Sequence, residues 1–247
     1  MITVILNCYK RTQYLQEQIE AIKAQSIPPE DIWVWYNKPE DQPQKNLNNI
    51  GLMTGCKIIS CSHNFKFHGR FALGLLAKTK YVAFFDDDTI PGKRWFENCI
   101  TTIDNGDDGI LGTTGVILLS NSYNPNVKVG WTQNHNTAPA EVDLVGHAWF
   151  MKKDYLRYLW YEEPYSWDNG EDLQLSFLAQ KYGNVRTIVP PHPPEDPSLW
   201  GSLPEKGSVY GSDSAATYIH TKSHDNLRNE IALSQVNNGW KLVRNSK

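Results

Sequence analysis

Cysteine is scarce in this chain, with four in 247 residues at Cys8, Cys56, Cys61 and Cys99. That is too few for a disulfide-stapled scaffold of this size. Cys56 and Cys61 lack the close CxxC spacing and the partner pair that structural zinc uses. Cys8, inside an apolar run, reads as a reduced and buried thiol. Long hydrophobic stretches are missing as well, and nothing approaches the roughly twenty apolar residues of a membrane-spanning helix. Membrane insertion is therefore not expected. Charge of one sign is also absent: 24 Lys and Arg stand against 27 Asp and Glu, a net charge of -3. Without a basic excess, no nucleic acid partner is indicated. No repeat, low-complexity tract or linker divides the chain. Met1-Ile2-Thr3-Val4-Ile5-Leu6 enters a strand without a basic region or cleavage pattern, so a cytoplasmic location is the expectation.

What is present suits one α/β domain. The length permits a substantial core, and nine Trp with twelve Tyr can fill it or form platforms for sugar rings. Ile2 to Cys8 reads as a buried strand. Thr12 is placed to cap a helix carrying Leu15, Ile19 and Ile22 at helical spacing, which Pro28 and Pro29 stop. Strands follow at 32–36 and 57–60, a helix over 69–78 with Phe71 and Leu75 inward, and an apolar strand at 81–85. Trp95, Phe96, Ile100 and Ile103 fit a packed helix. Strand signals recur at 109–120, 143–152 and 186–189, with a helix through Leu173, Phe177 and Leu178 between the last two. The stretch 201–214, rich in Gly and Ser, reads as a mobile loop, and 226–236 as a final helix. Early strand-helix-strand order favours parallel α/β organisation.

The chemistry gathers at two acidic motifs. Asp86-Asp87-Asp88 follows the strand at 81–85 directly, and ligands of open α/β sheets bind beyond the carboxyl ends of strands. Three adjacent acids repel one another; a divalent cation neutralises them while gripping phosphate oxygens. A hydrated acidic turn capping the next helix is the plainer reading. In Asn169-Gly170-Glu171-Asp172, the Asp172 carboxylate can cap a helix or remove a proton from an acceptor hydroxyl. Glu171 can orient the acceptor, or take the base role if Asp172 points elsewhere. His220 and His224 are possible metal ligands, Arg228 a possible phosphate partner, and Arg70 a phosphate or acceptor partner.

In this order the motifs resemble a GT-A glycosyltransferase, particularly family 2-like enzymes and their soluble viral relatives. Residues 3–11 look like the first strand and nucleotide-binding loop, Phe84-Phe85-Asp86-Asp87-Asp88 like the DxD motif, and Gly170-Glu171-Asp172 like the later ED motif. The resemblance spans roughly residues 2–228. It implies a single GT-A domain over 1–247 with a Rossmann-like, mostly parallel sheet. About 1–105 would bind the nucleotide sugar, and about 106–247 the acceptor and the catalytic base.

By the same resemblance Asn7, Tyr9, Arg11, Arg70, Asp86, Asp87 and Arg228 are assigned to the nucleotide sugar. Asp88 and His224, with His220 in reserve, are assigned to Mn²⁺ or Mg²⁺. Asp172 is the expected base, and His147, Trp149, Trp167 and Glu171 the expected acceptor contacts. Residues 67–71 and the triple acid are similar to exostosin-like transferases, which include retaining enzymes. A missing QxxRW motif argues against a processive synthase. The implied reaction is metal-dependent transfer from a nucleotide diphosphate sugar, with UDP the expected carrier, to a glycan hydroxyl with inversion. A viral source would make the compartment the host cytoplasm. A retaining transferase, a nucleotide-sugar hydrolase and a noncatalytic carbohydrate-binding protein are the alternatives.

Overall fold

Six of the seven residues in β1 (Ile2–Cys8) are buried. Ile2, Val4, Leu6 and Cys8 enter one apolar cluster and Ile5 the other. Strand side chains alternate between faces, so this strand is covered on both sides, as parallel strands usually are. The computed structural model describes residues 1–213 and 221–245, the side chains of 221 and 222 apart.

β1 pairs in parallel with β2 (Asp31–Asn37) and β4 (Tyr81–Phe85), and β2 with β3 (Lys57–Cys61). The sheet continues through β8 (Leu144–Lys152), β5 (Gly109–Leu118), β9 (Arg186–Val189) and the two-residue β7 (Ala140–Glu141), while β6 (Asn126–Val129) pairs with β5. The order is β3-β2-β1-β4-β8-β5-β9-β7. Six of its nine strands run one way; β6, β7 and β8 oppose them. The fold is mixed α/β with one mostly parallel central sheet.

Helices cover both faces. α1 (Leu15–Lys23) sends Leu15, Ile19 and Ile22 into the cluster under β1, and α4 (Trp95–Asp104) adds Trp95, Phe96, Cys99 and Ile103. Phe71 of α3 (Gly69–Gly74), Leu173 and Phe177 of α5 (Glu171–Gly183) and Ile231 of α7 (Thr221–Asn237) fill the other face. The α5 run 171–179 is buried at every position, as expected of a helix enclosed all round.

Three local expectations change, and one helix was not anticipated. Thr12 does not cap α1: a 3-10 turn at Thr12–Tyr14 intervenes, and the Thr12 hydroxyl accepts from Lys45. α3 stops at Gly74, leaving Leu75 40% exposed rather than inward. Residues 204–210 of the expected mobile loop form α6 (Pro204–Tyr210), started by a proline at its first turn. The Tyr210 ring stacks on Tyr14 with centroids 3.7 Å apart, and its hydroxyl donates to Glu17. Finally α2 (Asn48–Thr54), which has no buried residue and so no inward apolar stripe, gave no helical periodicity to read.

Gly92 fixes how the turn after the acid run meets 197–200. Its N–H donates to Trp200 O, and an added methyl would overlap the Pro197 and Ser198 carbonyl oxygens, the latter at 2.6 Å. Both obstacles are backbone, so Gly92→Ala should destabilise by about 1–3 kcal/mol. Urea unfolding measures this; an unchanged midpoint would refute the packing argument.

Candidate active site

The β1 and β4 strands end side by side, with Leu6 opposite Phe85. This brings Tyr9-Lys10-Arg11 against Asp86-Asp87-Asp88. Asp87 turns toward the first loop: its carboxylate accepts the backbone N–H groups of Tyr9 (3.3 Å) and Arg11 (3.4 Å) and the Arg11 guanidinium (2.8 Å). Arg11 also donates to Asp88 at 3.0 Å and forks onto Asp213. Asp87 thus fixes the first loop, and Arg11 is a buried cation shared by three acids. Burial raises the Asp88 pKa to about 6, aided by Asp86 and Asp87 and opposed by His147 and Arg11.

Asp86 faces the other way. Its side chain pairs with Arg70, whose second nitrogen donates to Glu171 at 2.9 Å. Arg70 is 2% exposed, with its guanidinium 4.6 Å from the Trp149 ring centroid. One planar cation therefore joins the two acidic motifs, and Arg70 itself stands 101 residues before Glu171 in sequence. Two point contacts of a flexible ammonium would not hold both acids in the same plane.

The ED acids sit in the first turn of α5, where the helix dipole favours negative charge. Gly170 begins this turn at φ +88°, and a Cβ there would collide with Ile231 of α7. Asp172 receives both Arg228 nitrogens, at 3.0 and 2.7 Å, and the Leu173 N–H at 2.8 Å. Burial alone would raise its pKa, but the charge and hydrogen bonds of Arg228 win and lower it. Burial raises Glu171 to about 7, reinforced by Asp172 and opposed by Arg70 and Arg228.

These motifs border one cavity of about 260 Å³. Of the expected site residues, Arg70, Asp86, His147, Trp149, Glu171, Asp172, His224 and Arg228 line it. Trp149 is only 2% exposed and packs edge-to-face on Phe71, so it backs Arg70 from within the core. Arg228 is occupied by Asp172 and Asn169. Trp167 stands outside, 53% exposed. His224 contacts Asp225, and His220 lies outside the described residues. Asn7, on β1, is half-buried beside Trp35 in register. The described residues hold no group of three or more His, Cys, Asp or Glu able to enclose a metal ion.

Sequence reasoning missed Gln18. It is buried in α1 and donates to the carbonyls of Asp86 (2.7 Å) and Thr89 (2.8 Å), fixing the acid turn from below. A polar residue three positions after Leu15, on the apolar stripe, was the available signal. His147 also has φ +63°, and its ring stacks on Trp131 at 4.8 Å. Its carbonyl accepts from Asp86 N–H and the Thr89 hydroxyl.

Glu171 gives a pH prediction. A carboxyl raised from 4.5 to about 7 holds its proton in the folded state where the unfolded chain has released it. Its contribution to stability is therefore greatest below pH 4.5 and declines as pH rises through 7, by up to about 3 kcal/mol. Melting curves across that window should show Glu171→Gln gaining on the wild type as pH rises. Parallel profiles would refute the shift.

The mostly parallel α/β sheet, with one acidic motif at the end of β4 and a second in the first turn of α5, is consistent with a GT-A glycosyltransferase domain. Residues 3–160 match the model described as Glycosyl transferase family 2, and the chain belongs to that family. Among solved structures, TarS from S. aureus superposes with a TM-score of 0.59 at 15% identity, over 99% of this chain and 44% of TarS. TarS 1–349 gives 0.58 at 17% identity, over 96% and 70%. GalNAc-T7, solved with UDP, GalNAc and Mn²⁺, gives 0.59 at 11% identity, over 81% and 47%. The chain thus spans less than half the length of the TarS and GalNAc-T7 chains in the first and last of these comparisons. At these identities the likeness is one of fold. No curated protein matches the chain in sequence.

Proposed function

We propose that the chain transfers a sugar from a nucleotide diphosphate sugar, carried on UDP, to a carbohydrate hydroxyl with inversion. The Arg70 bridge carries this reading: it ties a donor-motif acid, Asp86, to an acceptor-motif acid, Glu171, at one cavity. Asn7, Tyr9, Arg11 and Asp86 face the nucleotide, with Asp87 holding their loop. Asp172, kept ionised by Arg228, accepts the proton from the acceptor hydroxyl as that oxygen attacks the anomeric carbon. Glu171 and His147 orient the acceptor. Four buried, reduced cysteines accord with a cytoplasmic setting, and no helix among the described residues is long and apolar enough to cross a membrane.

A divalent cation, Mn²⁺ or Mg²⁺, suits the donor end. Asp88 is a half-buried acid crowded by two others, its carboxylate paired with Arg11. Gly211 lies so close that a Cβ would come within 2.8 Å of Asp88 Oδ2, so this approach needs the absence of a side chain. Asp88 would hold the ion, with His224 as the second protein ligand, and phosphate oxygens and water would complete the set. Bound there, the ion would supply positive charge against the departing diphosphate.

The test is a screen of UDP sugars against carbohydrate acceptors, with product configuration read by NMR. Chelation should abolish turnover and added Mn²⁺ or Mg²⁺ restore it. Turnover unaffected by chelation would overturn the metal assignment. Folded protein that neither transfers nor hydrolyses any donor would overturn the enzyme reading.

A further inference from the structure

Two loops meet at the cavity mouth. Phe67 and Asn169 line the cavity, and two residues from each stand Phe65 and Trp167, 52% and 53% exposed. Both rings are held in place. The Phe65 N–H donates to Asn37 at 2.8 Å, and its ring packs 5.9 Å from Trp35 and edge-on to His63. Trp167 meets His68 in a T-shaped contact at 5.0 Å. Burial lowers the His68 pKa to about 4, so its imidazole stays uncharged at neutral pH. Lys66 reaches within 3.7 Å of Asp168 and 3.8 Å of Glu40, which sets charged groups of both signs beside the two rings.

We infer that this rim is a shelf for an oligosaccharide acceptor, whose units beyond the reacting one stack on Trp167 and Phe65. The inference rests on the transfer reaction proposed above. Sugar rings combine an apolar C–H face, which packs on an aromatic ring, with hydroxyls that need polar partners at the edge. Lys66, Asp168 and Glu40 supply such partners beside the rings. A nucleic acid strand would also stack on aromatics, but it needs a cationic track, and here the rim's lysine already faces two acids. An apolar peptide would need a groove free of such charges. The shelf is continuous with the cavity through Phe67 and Asn169, so a chain anchored by its terminal hydroxyl at Asp172 would run out across it.

The experiment is calorimetry in the presence of UDP, with cellulose-, chitin- and mannan-derived oligosaccharides of one to six units. In at least one series, affinity should rise about tenfold or more from one unit to four. Trp167→Ala and Phe65→Ala should each flatten that rise, and Trp167→Phe, which keeps a ring, should recover most of it. UDP affinity and melting temperature of each variant report whether it is folded. A flat response in every series, or a rise that survives both alanine substitutions, overturns the shelf. Donor turnover is assayed on the same protein. Turnover with no chain-length preference sinks the shelf alone, whereas the preference without turnover sinks the transferase reading alone.

Discussion

Asp172→Asn should lower kcat by about 10²–10⁴-fold while leaving UDP affinity close to wild type. The change is nearly isosteric. The introduced amide keeps an oxygen for Arg228 or the Leu173 N–H, so the α5 N-terminus should retain its geometry. What it loses is the anionic lone pair that takes the acceptor proton. It also leaves the buried Arg228 with less compensating charge, so some loss of stability accompanies the loss of rate. Thermal melting separates the two effects, because an unfolded variant fails to bind UDP whereas an inactive folded one binds it. Wild-type transfer by the variant would remove Asp172 from the base role. A deeper loss in Glu171→Gln than in Asp172→Asn would move that role to Glu171, whose raised pKa suits it better to proton exchange near neutrality.

Arg70→Met should be the most damaging single substitution for stability, at about 3–5 kcal/mol, because it strands the buried Glu171 and the half-buried Asp86 without the cation they share. The guanidinium is enclosed between Asp86, Glu171 and the Trp149 ring. Methionine fills part of the volume and none of the hydrogen bonds. Arg70→Lys restores charge but not the fork, so it should recover only part of the stability and little of the rate. Both the donor KM and kcat should suffer, since one side chain serves both motifs. Urea unfolding and steady-state kinetics check this; a variant with wild-type stability would show that the bridge is not structural.

Much of the sheet was legible in the sequence because its strands are short apolar runs bounded by polar turns. Tyr81 to Phe85 followed by three acids is such a run. The acid motifs were visible less from the triplet itself than from its order, three carboxylates closing an apolar strand and a second acidic pair following before a helix. Their partners were not. Arg70 and Arg228 read as phosphate ligands, since a sequence gives an arginine's charge but not the acids that fold back upon it. Gln18 went unseen because a helical pattern marks apolar positions and passes over one polar residue among them. The α6 segment read as loop because Gly and Ser content outweighed the proline start and the Tyr14–Tyr210 stack, which only three dimensions reveal.

The position of β8 bears on how such enzymes are recombined. It comes from the second half of the chain, yet it lies between β4 and β5 and runs against both. Its Ala148 stands opposite Phe85, one residue before the acid run, and its His147 carbonyl receives the Asp86 N–H. A chimera that keeps the first half of the chain and replaces the second would therefore replace a hydrogen-bonding neighbour of the acid turn itself. Successful crossovers should be those that preserve the β4–β8 register, and hybrids shifted by one residue should fail at donor binding before any acceptor is offered.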